Sequence, residues 1–193
     1  MENFIFFVFL LSLIILMFSL KRGSNKLLRA SFLIYFFGIL TLFGVAIFKV
    51  IYQYLLWKNN PVSKFLLPPF QSFDYFFSYS FFHFLKVPLY NFFSSIFLLA
   101  LLKIFNKIFN KRLFFEEEIF FAGLTMLVVE FPINLFLLAL IIVLGILISL
   151  VKRILKKESQ YTSLYYLWIP LAIFAIIFKN LIISLPIIKN LIF

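Results

Sequence analysis

The chain has 193 residues; 65% are hydrophobic, 22% aromatic and only 13% charged, and the mean hydropathy is +1.13. A soluble domain is about 45–50% apolar and about 25% charged, so this composition excludes a soluble globular enzyme, a disordered chain and a secreted disulfide scaffold. The net charge of +11 comes from 18 Lys and Arg against seven Asp and Glu; with no Cys and one His, thiol chemistry and multi-His metal sites are excluded as well.

The expected fold is an all-α polytopic membrane helix bundle. It forms a single integral membrane domain over 1–193, with about six transmembrane helices and an interfacial aromatic segment. A spanning helix needs about 20 mainly apolar residues. The first such stretch is 3–20. It opens Met1-Glu2-Asn3 with no basic region and has no small-residue cleavage pattern after it, so it reads as a retained span and not a signal peptide. The second is 30–54, with Lys49 near its far end. An outer loop and interfacial segment, 57–86, follow. The turn residues Asn59-Asn60-Pro61 and Pro68-Pro69 frame the loop. Within this segment Phe70 to Leu85 mixes aromatics with Ser, Asp and His. It fits either an interfacial helix or an N-terminal extension of the third span kinked at Pro88.

The third span is 87–105 and the fourth, 113–129, is short and carries three Glu. The fifth, 132–150, begins at Pro132, where a missing N–H has no partner to lose. The sixth is 161–178. The tail from Leu181 onward is short, broken by Pro186 and Lys189, and expected at the interface. Gly38, Gly44 and Ala46 allow close helix contact in the second span but lack the dimerisation spacing. The excess of Phe, Ile, Lys and Asn fits an AT-rich genome.

Twelve of the 18 basic residues fall after every second span. Lys21, Arg22, Lys26 and Arg29 follow the first. Lys103, Lys107, Lys111 and Arg112 follow the third, and Lys152, Arg153, Lys156 and Lys157 follow the fifth. The positive-inside rule then places these clusters in the cytoplasm and both termini outside, in a bacterial inner membrane. On this account the charge is an orientation signal. The expected partners are the lipid bilayer and other membrane proteins, with no nucleic acid and no cofactor.

Glu116, Glu117 and Glu118 are the catalytic candidates. Three consecutive carboxylates sweep about 200° of a helix, so at least one must turn from lipid. A buried acid there would suit proteolysis or proton coupling. An interfacial cluster paired with Lys111 or Arg112 needs no chemistry and is the expectation adopted here. Asp74 and His83 form a possible polar outer site. Their spacing does not put them on one helical face, and Asp74 suits a helix cap. Glu130 reads as solvated, and Lys49 as snorkelling outward.

The order Glu116-Glu117-Glu118, Ala122-Gly123, Pro132, a basic VKRILKK loop and then LWIPLAIF with Pro170 resembles the C-terminal half of type IV prepilin peptidases. That family places an acidic Gly-x-Gly-Asp-x-Lys motif at the cytoplasmic start of a span. Here no Gly precedes the acids, Glu stands for Asp and no Lys follows. A second cytoplasmic Asp is also missing, since Asp74 falls outside. The resemblance implies a diverged, inactive relative. The function expected is a non-catalytic partner or scaffold in a membrane assembly. The alternatives are a peptidase-like relative or a small transporter subunit.

Overall fold

The apolar runs fold as helices, and the described residues contain no strand. The computed structural model describes residues 24–108, 114–154, 164 and 167–189, with Leu11 and Ile15. The expected span 3–20 otherwise lies outside the described residues, as do Lys21, Arg22, Lys111, Arg112, Lys156, Lys157 and Glu158.

Helix α1 runs Asn25–Asn59. Ser24 caps it: its hydroxyl accepts the N–H of Leu27 at 3.2 Å. At the far end Asn60 Oδ1 accepts the N–H groups of Val62 (2.9 Å) and Ser63 (3.2 Å), which turns the chain into a 3-10 turn at Ser63–Leu66. Helix α2 (Phe73–Ser80), a π-turn (Phe81–Leu85) and α3 (Lys86–Ile108) then form one continuous helix. Pro88 explains the π-turn. It has no N–H and its ring crowds the carbonyl of Phe84, so the helix widens just upstream, where the Lys86 N–H reaches back to the Phe81 carbonyl. The aromatic segment is therefore continuous with the third predicted span.

Among the described residues two helices, Asn25–Asn59 and Phe73–Ile108, are long and apolar enough to cross a membrane. At about 1.5 Å per residue each exceeds the roughly 30 Å of a hydrocarbon layer. Helix α4 (Glu116–Val128) is different. Its 13 residues rise only about 20 Å. Except for Glu116 and the partly covered Phe120, every side chain in it is buried. The fourth predicted span thus forms a short helix that its neighbours bury on nearly every side. Helices α5 (Ile133–Ile154) and α6 (Trp168–Ile177) follow, then the short α7 (Lys179–Ile183) and α8 (Pro186–Lys189). The tail does more than lie at a surface, because Ile182 and Ile188 enter the main core.

Helix α4 sits at the centre. Helices α1 and α3 pack along it and touch one another only sparingly, while α6 covers a further face. Small residues set the spacing. A Cβ on Gly123 would come within 2.9 Å of Leu99 and 3.0 Å of Tyr35, and one on Gly38 within 2.7 Å of Leu124. Gly44, read from sequence as a similar contact, has open space instead. A second aromatic cluster closes the far end of α1, where Trp57 packs on Phe76 (5.4 Å) and Tyr79 (4.8 Å).

The two glycines make a paired test. Tyr35 is held by a hydrogen bond and cannot yield, so Gly123→Ala should lower stability by about 1–3 kcal/mol, the usual cost of overpacking. Gly44→Ala should leave stability unchanged or raise it by up to about 1 kcal/mol. Thermal unfolding in detergent micelles, followed by circular dichroism, reads both.

Candidate functional site

Helix α3 turns Asn91, Ser95, Leu98, Leu102 and Asn106 inward. Their spacing of three or four residues places them on one stripe, and that stripe faces α4. The ends of a short helix leave backbone N–H and C=O groups unpaired, and burial there without partners is costly. The polar members of the stripe bond the last turn, the middle of the helix and the chain that leads into it. Asn106 grips the strand of chain entering α4: its amide donates to the Phe114 carbonyl at 3.0 Å and its oxygen accepts the Phe114 N–H at 3.3 Å. Asn91 grips the exit in the same way. It donates to the Leu127 carbonyl at 3.2 Å and accepts from the Phe131 N–H at 2.9 Å. Midway, Ser95 donates to the Gly123 carbonyl at 2.7 Å. Its proton is thereby placed, so Tyr35 is the donor in the 3.0 Å contact between the two hydroxyls. Asn134, fully buried in α5, donates to Ser94 at 3.0 Å and ties that helix to α3.

The three glutamates open α4. Glu116 is exposed, whereas Glu117 and Glu118 are 2% and 0% exposed. Two of the three are therefore buried, where an interfacial cluster was expected. All three have interaction partners. Glu118 lies in the first turn, where a carboxylate faces the positive end of the helix dipole. One oxygen accepts the Phe115 N–H at 3.4 Å, the reach-back of a capping box. The other accepts the Trp168 indole N–H at 3.3 Å, which docks α6 on α4. The Lys111 and Arg112 partners expected for this cluster lie outside the described residues.

The other described acids, Asp74 and Glu130, are elsewhere. Asp74 is exposed in the first turn of α2, and the helix cap is Ser72 in its place. His83 is exposed too. It bonds the Tyr79 carbonyl through Nδ1 at 2.8 Å and stacks on the Tyr79 ring at 4.0 Å. Helical rise separates Asp74 from His83 by about 13 Å, so the structure does not join them. Glu130 forms an ion pair with Lys179 and is not simply solvated. Lys49 turns toward a small cavity of about 190 Å³ that it shares with His83, Asn91 and Glu130. These groups sit at the opposite end of α4 from the glutamates, about 20 Å away by helical rise. Among the described residues, no group of three or more His, Asp or Glu is placed to hold a metal ion.

At the glutamate end, α1 and α3 diverge around α4 and leave a groove of about 930 Å³. Leu28, Phe32, Ile119 and Phe120 form its apolar wall. Arg29, Lys103 and Lys107 bring three cations to it, beside Asn106 and Glu116. The Lys103 ammonium lies 5.6 Å over the Phe120 ring. A smaller cavity of about 320 Å³ adjoins the groove and reaches Glu117. Sequence reasoning singled out the acids here and missed the Asn91, Ser95 and Asn106 clasps. Their signal was available: amide and hydroxyl side chains on one helical stripe inside an apolar run belong to a bundle interior.

Each clasp should be worth the cost of orphaning buried backbone groups. Asn91→Leu and Asn106→Leu should each destabilise by about 1–3 kcal/mol in thermal melts. Glu118→Gln keeps one acceptor oxygen and loses one of the two contacts, so it should be milder than Glu118→Leu, which loses both and should also shift Trp168 emission. No family model, no curated protein and no solved structure matches this chain.

Proposed function

We propose that the chain is an integral protein of the bacterial inner membrane, with about six spans, both termini outside and the three basic clusters in the cytoplasm. Its role is that of a non-catalytic partner or scaffold in a membrane assembly. One observation carries this. The long helices expose their large apolar side chains, such as Phe36, Phe37, Phe48, Phe93 and Phe97, and turn Ser31, Asn91, Ser95 and Asn106 inward. That is the inverse of a helix folded in water, and it suits lipid. The buried amides and hydroxyls of α3 are engaged by the backbone of α4, which favours holding the bundle together over acting on a substrate.

A second reading, a diverged relative of prepilin peptidases, draws support from the burial of Glu117 and Glu118 at the start of α4. Against it, the described acids Asp74 and Glu130 lie at the opposite end, so no second carboxylate from another described helix joins the cluster. The transporter alternative finds no supporting observation among the described residues.

Two experiments test these readings. Alkaline phosphatase fused after Lys58 should be active and fused after Lys107 inactive; the reverse pattern would overturn the orientation. The purified chain should leave a prepilin-type signal peptide intact. Cleavage that disappears in Glu117→Gln would replace the scaffold with the peptidase.

A further inference from the structure

We infer that the groove between α1 and α3 is a binding site for an amphiphile with an anionic phosphate headgroup, namely a membrane phospholipid. The inference rests on the membrane reading proposed above, and is independent of the scaffold role and of the orientation.

The groove joins two unlike surfaces. Its rim carries Arg29 from α1 and Lys103 and Lys107 from α3, one helical turn apart. Glu116 is the acid that faces them, so the lining has an excess of two positive charges. Its wall is Phe32, Ile119 and Phe120, and the apolar surface continues beyond the groove along exposed Phe36 and Ile96. A free anion would use only the rim. An apolar ligand would use only the wall and leave three cations unanswered. A phospholipid matches both, with its phosphate among the cations and its acyl chains running down α1 and α3.

The volume of about 930 Å³ falls within the range of small-molecule sites and admits a headgroup with the first part of its chains. The fold explains why the gap exists. Helix α4 is clasped by Asn106 and Asn91 and wedges α1 from α3, and Phe120 forms the floor between them, edge-on to Phe32 at 5.5 Å. Lys103 lies over that ring, so its ammonium is held at the boundary between the two surfaces.

Native mass spectrometry of the full chain released from detergent tests the site, with phosphatidylglycerol and phosphatidylcholine of identical acyl chains offered in equal amounts. Phosphatidylglycerol should be retained preferentially. A basic residue near a membrane surface attracts anionic lipid by about fivefold, so Arg29→Gln/Lys103→Gln/Lys107→Gln should lose most of that preference. Lys26→Gln/Lys58→Gln/Lys64→Gln removes the same charge outside the groove and should keep it. Lys103→Arg/Lys107→Arg should also keep it, which separates lost charge from lost folding. Equal retention of both lipids by the native chain, or an unchanged preference in the groove variant, would overturn the site. Displacement of the lipid by inorganic phosphate alone would overturn the phospholipid in favour of a free anion. Retention of no lipid at all would overturn the membrane reading beneath it.

Discussion

Everything in this fold is arranged around a short helix whose backbone ends are satisfied by its neighbours. Helix α4 is nearly all buried, and a buried helix of 13 residues cannot send its terminal N–H and C=O groups to water. Asn91 takes up the Leu127 carbonyl of the last turn and the Phe131 N–H beyond it, Asn106 pairs both backbone groups of Phe114 just before the first turn, and Ser95 adds a third point of contact between them. Because the three residues lie on one stripe of α3, pairing α4 also fixes the register of the two helices. The small side chain of Gly123 then lets Tyr35 and Leu99 close against it, which brings α1 into the same core.

The rest of the architecture follows from that centre. Glu118 caps the start of α4 and receives the Trp168 indole, so one carboxylate both ends a helix and docks another. Asn134 anchors α5 through Ser94, and the Glu130–Lys179 pair ties the far turn to α7. With polar groups engaged inward, the outer faces of α1 and α3 are left to large apolar side chains. The separation that α4 imposes on α1 and α3 produces the basic groove. A site of mixed charge and hydrophobicity is thus a by-product of how the core is wedged open.

Much of the fold was legible in advance. The helices at 30–54, 87–105 and 132–150 lie within or along α1, α3 and α5, because long apolar runs with basic ends leave few other solutions. The start of α5 beside Pro132 was legible from the proline itself, which stands in the turn just before Ile133. The character of 113–129 was not. Hydropathy sees apolar residues and does not distinguish lipid from protein as their surroundings, so the burial of this helix by its neighbours could not be read from it. The aromatic segment before Pro88 was similarly open, since only the π-turn shows how the helix passes the proline without breaking. Of the candidate site residues, burial of Glu117 and Glu118 depended on neighbours from other helices, and Asp74 and His83 proved to be separate exposed groups.

The sequence by itself determined the helical class, the apolar exterior and the clustering of basic charge, because these depend on composition and on spacing along one chain. Only the tertiary structure decided which glutamates are buried, where the amide side chains of α3 direct their bonds, and that Arg29, Lys103 and Lys107 meet above Phe120. Those are relations between helices far apart in sequence. They are set by the 2.7–3.3 Å contacts that close α3 on α4, and no periodicity within a single segment encodes them.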